Sequence, residues 1–276
     1  MILMTSRACF WDKDHTWLIC AYKESPYLEE CIVSLMNQTV RSRIRIATST
    51  PCRHISDLAE KYGLEVFVNH GKSGISGDWN FALGIGETEF LTIAHQDDTY
   101  EPTYVEELLS TVNRDGDPIL YFTDYGELRN GERVTENKLL RTKRLLIIPI
   151  RLFPRRKFAR RCSLAFGDAI CCPSVTYRTS IMKDYPFEDH FRSNLDWEMD
   201  EKLSRRKGSF LFNPKILMYH RIHEESATTE IIGVHRRTVE DYEMMKKFWP
   251  DWIAKRLSKV YAGAEKSNEI TEKGRR

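Results

Sequence analysis

The first 124 residues alternate short apolar runs with stretches whose apolar residues recur at helical spacing. Thr16–Ala21, Arg43–Thr48 and Glu65–Val68 have the length and residue types of strands. Amphipathic stretches such as Tyr27–Asn37 and Thr103–Asn113 separate such runs. Because a helix that joins two neighbouring strands usually leaves them parallel, this order predicts an α/β protein with a mostly parallel sheet flanked by helices.

Beyond Asp124 the order of the elements becomes irregular. The predicted elements are, in chain order, a hairpin around the Asn-Gly turn of Glu127–Arg133, a helix at Asp196–Arg206, strands at Ser209–Phe212 and Ile216–Arg221, and helices over Val234–Ala262. Residues 263–276 are polar and are predicted to be a frayed tail. The sequence therefore predicts one domain over residues 1–262 with an irregular second half that ends in helices.

Charge is unevenly distributed along the chain. The net charge is only +2, which does not indicate a nucleic-acid-binding protein. Lys138–Arg161, however, contains ten Lys and Arg residues and no acid, which leaves 32 basic and 40 acidic residues elsewhere. This segment could contact an anionic membrane, bind an acidic acceptor, or form a loop over the site. Pro149 and Pro154 predict that it is not one uninterrupted helix.

Cysteine usage and hydropathy bear on the compartment. The seven cysteines are scattered, odd in number and contain no C-x-x-C pair, which is typical of a reducing environment. Met1–Met4 is too short for the apolar part of a signal peptide. The longest apolar run, Leu145–Ile150, is far below the ~18 residues of a membrane span. We therefore expect a cytoplasmic protein, either free or peripheral at the inner face of the membrane.

The segment Phe90–Tyr100, FLTIAHQDDTY, is an apolar run that ends at two adjacent carboxylates, Asp97 and Asp98. Ligands of parallel sheets bind beyond the carboxyl ends of the strands, and paired carboxylates there can hold a divalent cation and, through it, a diphosphate. Polar groups follow the three earlier strands as well: Ala21, Tyr22, Lys23 and Glu24; Thr48, Ser49 and Thr50; and Asn69. We therefore expect all four groups to line one sheet edge where a nucleotide could lie.

Three further clusters have more than one interpretation. Asp196 and Glu198 could be acids in a first helical turn capped by Ser193, or one of them could be a general base. His220 and His223 would point to opposite faces of a strand, so at most one of them is expected to bind a metal. The glycine-rich turn Gly71–Gly77 lacks the spacing of a P-loop but could close over a ligand.

Five segments, in this order, resemble the family 2 glycosyltransferases, which have the GT-A fold. The segments are Ile19–Thr39, Val68–Leu83, Ile93–Val105, Leu195–Met199 and Tyr219–Thr229. The resemblance covers roughly residues 16–230. It implies a nucleotide-binding half over about residues 16–124 and an acceptor half over about residues 125–262.

The resemblance also implies an activity and roles for single residues. The expected activity is inverting transfer of a sugar from a nucleotide sugar, most often a UDP-sugar, to a hydroxyl of a saccharide or lipid-linked acceptor, in cell-surface polysaccharide biosynthesis. Asp196 would be the catalytic base, and Mn²⁺ or Mg²⁺ would bind Asp97, Asp98 and His223. Gly77–Asn80 would lie under the donor sugar. The residues implied in nucleotide-sugar binding are Ala21, Tyr22, Glu24, Thr48, Ser49, Asn69, Asp78, Asn80, Gln96, Asp97 and Arg221.

The sequence departs from the family pattern at two places. The D-x-D element of the family falls on His95-Gln96-Asp97, so His95 replaces its first acid. Thr48-Ser49 stands where an aspartate of the family usually reads the base. The base of the donor therefore stays open. Two other functions also stay open: a nucleotidyltransferase that makes a sugar nucleotide and releases pyrophosphate, and a non-catalytic GT-A-like module that binds a saccharide or a partner.

Overall fold

The structure is a computed structural model that describes residues 12–223 and 234–261. Its nine strands are β1 His15–Ala21, β2 Arg43–Thr48, β3 Glu65–Val68, β4 Phe90–His95, β5 Thr99–Tyr100, β6 Pro118–Arg129, β7 Glu132–Val134, β8 Val175–Arg178 and β9 Ser209–Ile222. The predicted tail 263–276 and part of Tyr219–Thr229 lie outside the described residues.

The helices alternate with the strands in the first half and cluster in the second. They are α1 Leu28–Met36, α2 Arg53–Tyr62, α3 Ile75–Gly84, α4 Tyr104–Asp115, α5 Lys138–Leu152, α6 Lys157–Leu164, α7 Thr179–Met182, α8 Leu195–Ser204, α9 Val234–Lys246 and α10, residues 251–261. Short 3-10 turns lie at Asp12–Asp14 and Cys172–Ser174. The predicted α/β class is confirmed.

All nine strands form one mixed sheet in the order β3-β2-β1-β4-β8-β6-β9-β5, with β7 paired to β6. The first four strands in this order are parallel, as predicted, whereas β8 is antiparallel to both of its neighbours. The predicted hairpin is confirmed as β6–β7: Asn130 and Gly131, with φ of 50° and 83°, form its turn.

Two local predictions need correction. The two strands predicted after Gly208 form one strand, β9. Its register against β6 shifts between Asn213 and Ile216, and Pro214 and Lys215 form a bulge at that point. Proline has no N–H for a ladder hydrogen bond, so a bulge accommodates it without ending the strand. The basic segment is not one uninterrupted helix, as predicted, but the break between α5 and α6 comes at Pro154 alone, whereas Pro149 lies inside α5.

The core is continuous beneath the sheet edge that carries the predicted site. Trp17 and Ile19 of β1 pack with Leu28 and Ile32 of α1 and with Tyr104 of α4, and all five side chains are fully buried. A second cluster joins β8 and the start of β6 to helices α5–α9. Within the described ranges, no helix has both the length and the apolar character needed to cross a bilayer.

Candidate active site

The carboxyl ends of the first four parallel strands meet at one edge of the sheet. Ala21 pairs with Thr48, Thr48 with Val68, and Cys20 with His95. The backbone N–H of Asn69 donates to the carbonyl of Thr48 at 2.8 Å, which continues this alignment past the end of β3. The polar groups that follow the four strands therefore lie side by side, as the sequence predicted.

Gln96 joins the loop after β4 to the residue after β1. Its Oε1 accepts a hydrogen bond from the backbone N–H of Tyr22 at 2.9 Å, and its Nε2 donates to the carbonyl of Tyr22 at 3.1 Å. The ring of Tyr22 remains 48% exposed, and Glu24 is exposed as well, whereas Ala21 is buried. The Gln96 amide thus places an exposed aromatic ring beside the D-x-D segment.

The backbone immediately after Tyr22 is strained. Lys23 has a φ of 54°, in the left-handed region that few non-glycine residues adopt. Its N–H donates to Thr50 Oγ1 at 2.6 Å, and its Nζ lies 4.9 Å from the centre of the Tyr22 ring. Thr48 Oγ1 in turn accepts from the N–H of Thr50 at 3.0 Å. These contacts hold the loops after β1 and β2 together.

Asp78 brings a carboxylate to the end of β2, where the family aspartate is missing. It lies in the first turn of α3 and accepts hydrogen bonds from Ser49 Oγ at 2.9 Å and Asn69 Nδ2 at 2.8 Å. We name Ser49, Asn69, Asp78 and Asp98 the strand-end cluster. Three residues that the resemblance assigned to the nucleotide are therefore in mutual contact, and an acid from α3 reaches the position that β2 leaves without one.

The glycine-rich turn before α3 is closely packed against its own backbone. A Cβ at Gly77 would lie 2.1 Å from the carbonyl oxygen of Lys72, so only glycine fits there. Asn69 Nδ2 also donates to that carbonyl, at 3.0 Å.

Asn80, further along α3, exchanges two hydrogen bonds with the backbone of Phe187, both at 2.8 Å. Asn80 therefore fixes the loop before α8.

Asp98 is fully buried and connects β4 to β9. Its Oδ1 accepts from the backbone N–H of Arg221 at 2.8 Å and lies 3.0 Å from His220 Nδ1. Burial alone would lower the pKa of His220, but the Asp98 carboxylate raises it above the usual value. Asp98 therefore anchors the end of β9 as well as flanking the predicted metal site.

Asp97 faces His223 across the same junction. Its Oδ2 lies 2.9 Å from His223 Nε2, and its carbonyl accepts from Arg221 Nε at 2.8 Å. Burial would raise the pKa of Asp97, but the charge of His95 and the hydrogen bond with His223 hold it below the usual value. Asp97 is therefore ionised at neutral pH.

The guanidinium of Arg221 is held from three sides. Besides its bond to the Asp97 carbonyl, it pairs with Glu30 of α1 and lies 4.3 Å from the centre of the Tyr27 ring. It is nearly buried, and these contacts fix its orientation at the strand edge. A phosphate group there would meet a pre-positioned arginine.

The residues around the D-x-D segment fit a divalent cation. Ligand atoms of His95, Asp97 and Asp98 all lie within 4.8 Å of one another. The His95 ring stacks on Trp79 at 5.5 Å, and its Nε2 is buried with no hydrogen-bond partner among the described residues. Two carboxylates and one imidazole form a donor set that first-row divalent metals accept. The set Asp97, Asp98 and His223 stays a prediction: His223 contacts Asp97, and His95 is a further nitrogen ligand beside the two acids that the sequence prediction did not include.

A second group of acids lies at the start of α8. Asp196 and Asp200 are one helical turn apart, and Asp168 faces them from the loop before β8. We name these three residues the acidic cluster. Asp168 Oδ2 and Asp200 Oδ1 are buried without a hydrogen-bond partner among the described residues. Carboxylates this close in a low-dielectric environment cannot all be ionised at once without a large cost.

The pKa values of the acidic cluster reflect this crowding. Burial and the charge of Asp196 raise the pKa of Asp168 well above its usual value. Burial, then Asp168 and Asp196, do the same to Asp200. Burial raises the pKa of Asp196 against the opposing effects of the Trp197 N–H bond and Lys143, and His95 also acts on this carboxyl group. Asp196 is therefore a stronger base than an ordinary carboxylate and interacts electrostatically with the D-x-D segment.

The sequence predicted Asp196 but missed its neighbours. Asp168, Asp200 and Lys143 come from three separate elements, so no local pattern joins them; only the spacing of four between Asp196 and Asp200 could have indicated a shared helix face. The predicted cap by Ser193 is wrong. Its hydroxyl and backbone N–H both donate to Glu240 of α9, and Asn194 is the residue that precedes the helix.

A sequence model of the family described as "Glycosyl transferase family 2" matches residues 16–185 of the chain. The chain belongs to glycosyl transferase family 2. The match includes the donor-side strands and the D-x-D segment and ends before α8. No curated protein sequence matches the chain.

Solved structures of GT-A glycosyltransferases share the fold. The mannosyltransferase PcManGT from Pyrobaculum calidifontis, in complex with GDP-Man and Mn²⁺, superposes with a TM-score of 0.63 at 12% identity, over 95% of this chain and 76% of that one. S. aureus TarS 1-349 in complex with UDP-GlcNAc gives a TM-score of 0.59 at 16% identity, over 89% of this chain and 70% of that one. At these identities the similarity supports the fold alone.

Proposed function

We propose that this family 2 glycosyltransferase transfers a sugar from a nucleotide-sugar donor to an acceptor hydroxyl with inversion at the anomeric carbon. The observation that carries the proposal is the position of Asp196, a carboxylate with a raised pKa. It interacts electrostatically with His95 of the D-x-D element, at the sheet edge where the parallel strands end. A nucleotide-binding edge and a base facing it are what a single in-line displacement needs.

In this reaction the acceptor oxygen attacks the anomeric carbon, and the bond from that carbon to the diphosphate breaks. The hydroxyl proton goes to the Asp196 carboxylate, whose raised pKa suits it to accept a proton at neutral pH. Arg221 would hold the leaving diphosphate through its fixed guanidinium. A divalent cation held by Asp97, with Asp98 and His95 or His223 beside it, would supply further positive charge for that group.

On the donor side, the exposed Tyr22 ring would stack on the nucleobase next to Ala21 and Glu24. Asp78, through its contacts with Ser49 and Asn69, would read the base from the end of β2, beside Thr48. Asn80 and Gln96 would position these groups through their backbone contacts. We favour a UDP-sugar donor because TarS, of the same fold, was solved with UDP-GlcNAc, although PcManGT was solved with GDP-Man.

For the acceptor side, we propose a saccharide or lipid-linked hydroxyl as the acceptor, in cell-surface polysaccharide biosynthesis at the inner face of a membrane. Asp196, the partly exposed acid at the start of α8, supports a hydroxyl as the attacking group, since its raised pKa suits it to take the hydroxyl proton.

The test is release of nucleoside diphosphate from a panel of UDP- and GDP-sugars, with Mn²⁺ or Mg²⁺ and candidate acceptors. The expected result is nucleoside diphosphate release from one donor class, with the sugar recovered on the acceptor in the inverted configuration. Pyrophosphate release would indicate a nucleotidyltransferase instead. No release from any donor, together with nucleoside diphosphate binding that does not depend on metal, would indicate a non-catalytic module.

A further inference from the structure

Helix α5 has large apolar side chains on two opposite sides, among five Lys and Arg residues, and the protein covers only one of these sides. Leu140, Ile147 and Ile150 are buried in the core. On the other side, five large apolar side chains of α5, the following turn and α6 are between 43% and 80% exposed: Leu145, Ile148, Leu152, Phe153 and Phe158. We name these five residues the outer apolar face. A group of large exposed apolar side chains on one side of a helix marks a contact surface more often than a group of scattered ones does.

The bases of the same segment differ in whether a carboxylate pairs with them. Four of them are paired: Arg141 with Glu136, Arg144 with Asp124, Arg155 with Asp115, and Arg161 with Glu201. Arg151, Arg156 and Lys157 are exposed beside the outer apolar face, and none of them has a carboxylate partner among the described residues. The outer apolar face is thus bordered by unneutralised positive charge, whereas the segment contains no acid.

This combination points to one occupant. An apolar strip bordered by Lys and Arg, on a helix too short to cross a bilayer, is the pattern of a segment that lies in the interface of an anionic membrane. A second copy of the chain would place the same positive charges against one another across a two-fold contact, which disfavours that alternative. We propose that the outer apolar face of α5 and α6 binds the surface of an anionic phospholipid bilayer.

The same helix also connects the proposed membrane surface to the acceptor side of the active site. Lys143 lies on α5 two residues before Leu145, with its Nζ 5.3 Å from the centre of the Tyr125 ring, and it acts electrostatically on Asp168 and Asp196. Lys143 would thus lie about one helix diameter, on the order of 10 Å, from the bilayer surface, with the base beyond it. The membrane-binding inference rests on the proposed function and specifies its acceptor: a lipid-linked hydroxyl presented at the bilayer surface.

The experiment uses the full chain and sedimentation with vesicles of phosphatidylcholine, with or without phosphatidylglycerol. We expect binding to the phosphatidylglycerol vesicles that weakens at high salt, because exposed charges are screened. The charge variant Arg151→Gln/Arg156→Gln/Lys157→Gln should bind on the order of 100-fold more weakly. The apolar variant Leu145→Gln/Leu152→Gln/Phe158→Gln should lose roughly tenfold or more.

Matched controls change the same residue types elsewhere on the surface. Arg53→Gln/Lys183→Gln/Lys207→Gln removes three exposed bases, and Val239→Gln/Trp252→Gln/Val260→Gln removes three exposed apolar side chains. Both controls should bind vesicles like the unchanged chain. Equal binding to the two vesicle types, no binding, or equal loss in the controls would overturn the proposal. So would a dimer in vesicle-free buffer that the apolar variant dissociates, since the occupant would then be a second copy.

Turnover separates this inference from the proposed function. The charge and apolar variants should release nucleoside diphosphate at the unchanged rate with a water-soluble acceptor, and more slowly only with an acceptor embedded in vesicles. If neither the unchanged chain nor any variant transfers sugar, the proposed function is wrong, but the vesicle-binding result still supports the membrane surface. If transfer to vesicle-borne acceptor is the same in all variants, the lipid-linked acceptor is wrong.

Discussion

The strand-end cluster and the acidic cluster each contain aspartates, but the negative charge of these aspartates is compensated differently in the two clusters. In the strand-end cluster, Asp78 and Asp98 each accept at least two hydrogen bonds from neighbours. In the acidic cluster, Asp168 and Asp200 each have a buried oxygen with no hydrogen-bond partner in the part of the chain that the structure describes, and Lys143 acts electrostatically on Asp168 and Asp196. The first arrangement fixes geometry; the second raises pKa values.

This difference matches the needs of the two proposed substrates. A nucleotide diphosphate carries its own charge and benefits from a rigid, pre-oriented edge. A neutral hydroxyl needs a group that will take its proton, and a carboxylate such as Asp196 does this better when burial raises its pKa. We therefore expect substitutions of acids in the two clusters to have opposite effects on stability, and only those in the acidic cluster to affect proton transfer directly.

The largest expected effect comes from Asp196→Asn. The amide keeps the shape of the side chain but cannot accept the proton, so turnover should fall by ~10²-fold or more. Nucleoside diphosphate binding, measured by calorimetry, should be unchanged because the strand-end cluster is intact. Asp184→Asn, which neutralises an exposed acid away from both clusters, should leave turnover unchanged. Normal turnover in Asp196→Asn would remove this residue from the proposed role.

The next effect compares Asp98→Asn with Asp200→Asn in urea unfolding without metal. Asp98→Asn takes the charge from a buried acceptor of two hydrogen bonds and should cost about 2–4 kcal/mol of unfolding free energy. Asp200→Asn relieves a crowded, unpartnered carboxylate and should add about 1 kcal/mol at neutral pH. A loss of stability in both variants would mean that the two clusters are not compensated differently.

The pH dependence of the same pair follows from linkage. Because the pKa of Asp200 is raised in the folded protein, the folded state binds more protons than the unfolded state above the ordinary carboxyl pKa. The ionisation of Asp200 therefore lowers the free energy of unfolding as pH rises from about 4 toward the pKa of Asp200 in the folded protein. Asp200→Asn should flatten the curve of unfolding free energy against pH in that window. An unchanged slope would contradict the raised pKa.

The rigidity of the strand-end cluster is tested by Gly77→Ala. The added methyl would lie 2.1 Å from the Lys72 carbonyl oxygen, so the turn that leads to Asp78 must move. We expect a loss of about 1–3 kcal/mol in thermal or urea unfolding and weaker nucleotide binding. Gly84→Ala, at the other end of α3 with open space around it, is the control and should be neutral or slightly stabilising. Equal behaviour of the two variants would mean that the turn yields easily.

The two clusters also differ in how much of them the sequence predicted. The donor side rests on residues next to their own strand ends, so Tyr22, Asn69 and Asp97 could be placed from the periodic pattern alone. The acidic cluster depends on contacts between residues 143, 168 and 200, which only the folded chain brings together. Ser193 shows the same limit: its hydroxyl and backbone N–H donate to Glu240 of a distant helix, so it does not cap α8.

The smallest effect concerns His95, where this chain departs from the family pattern. An imidazole among the ligands favours Mn²⁺ over Mg²⁺, because Mg²⁺ prefers oxygen ligands. His95→Asp should therefore strengthen Mg²⁺ binding by roughly tenfold, measured by calorimetry with a nucleoside diphosphate. His95→Asn, which removes the nitrogen without adding charge, should weaken Mn²⁺ binding without that gain for Mg²⁺. If both variants bind the two metals as the unchanged chain does, His95 is not a ligand, and His223 becomes the histidine to test, because it already contacts Asp97.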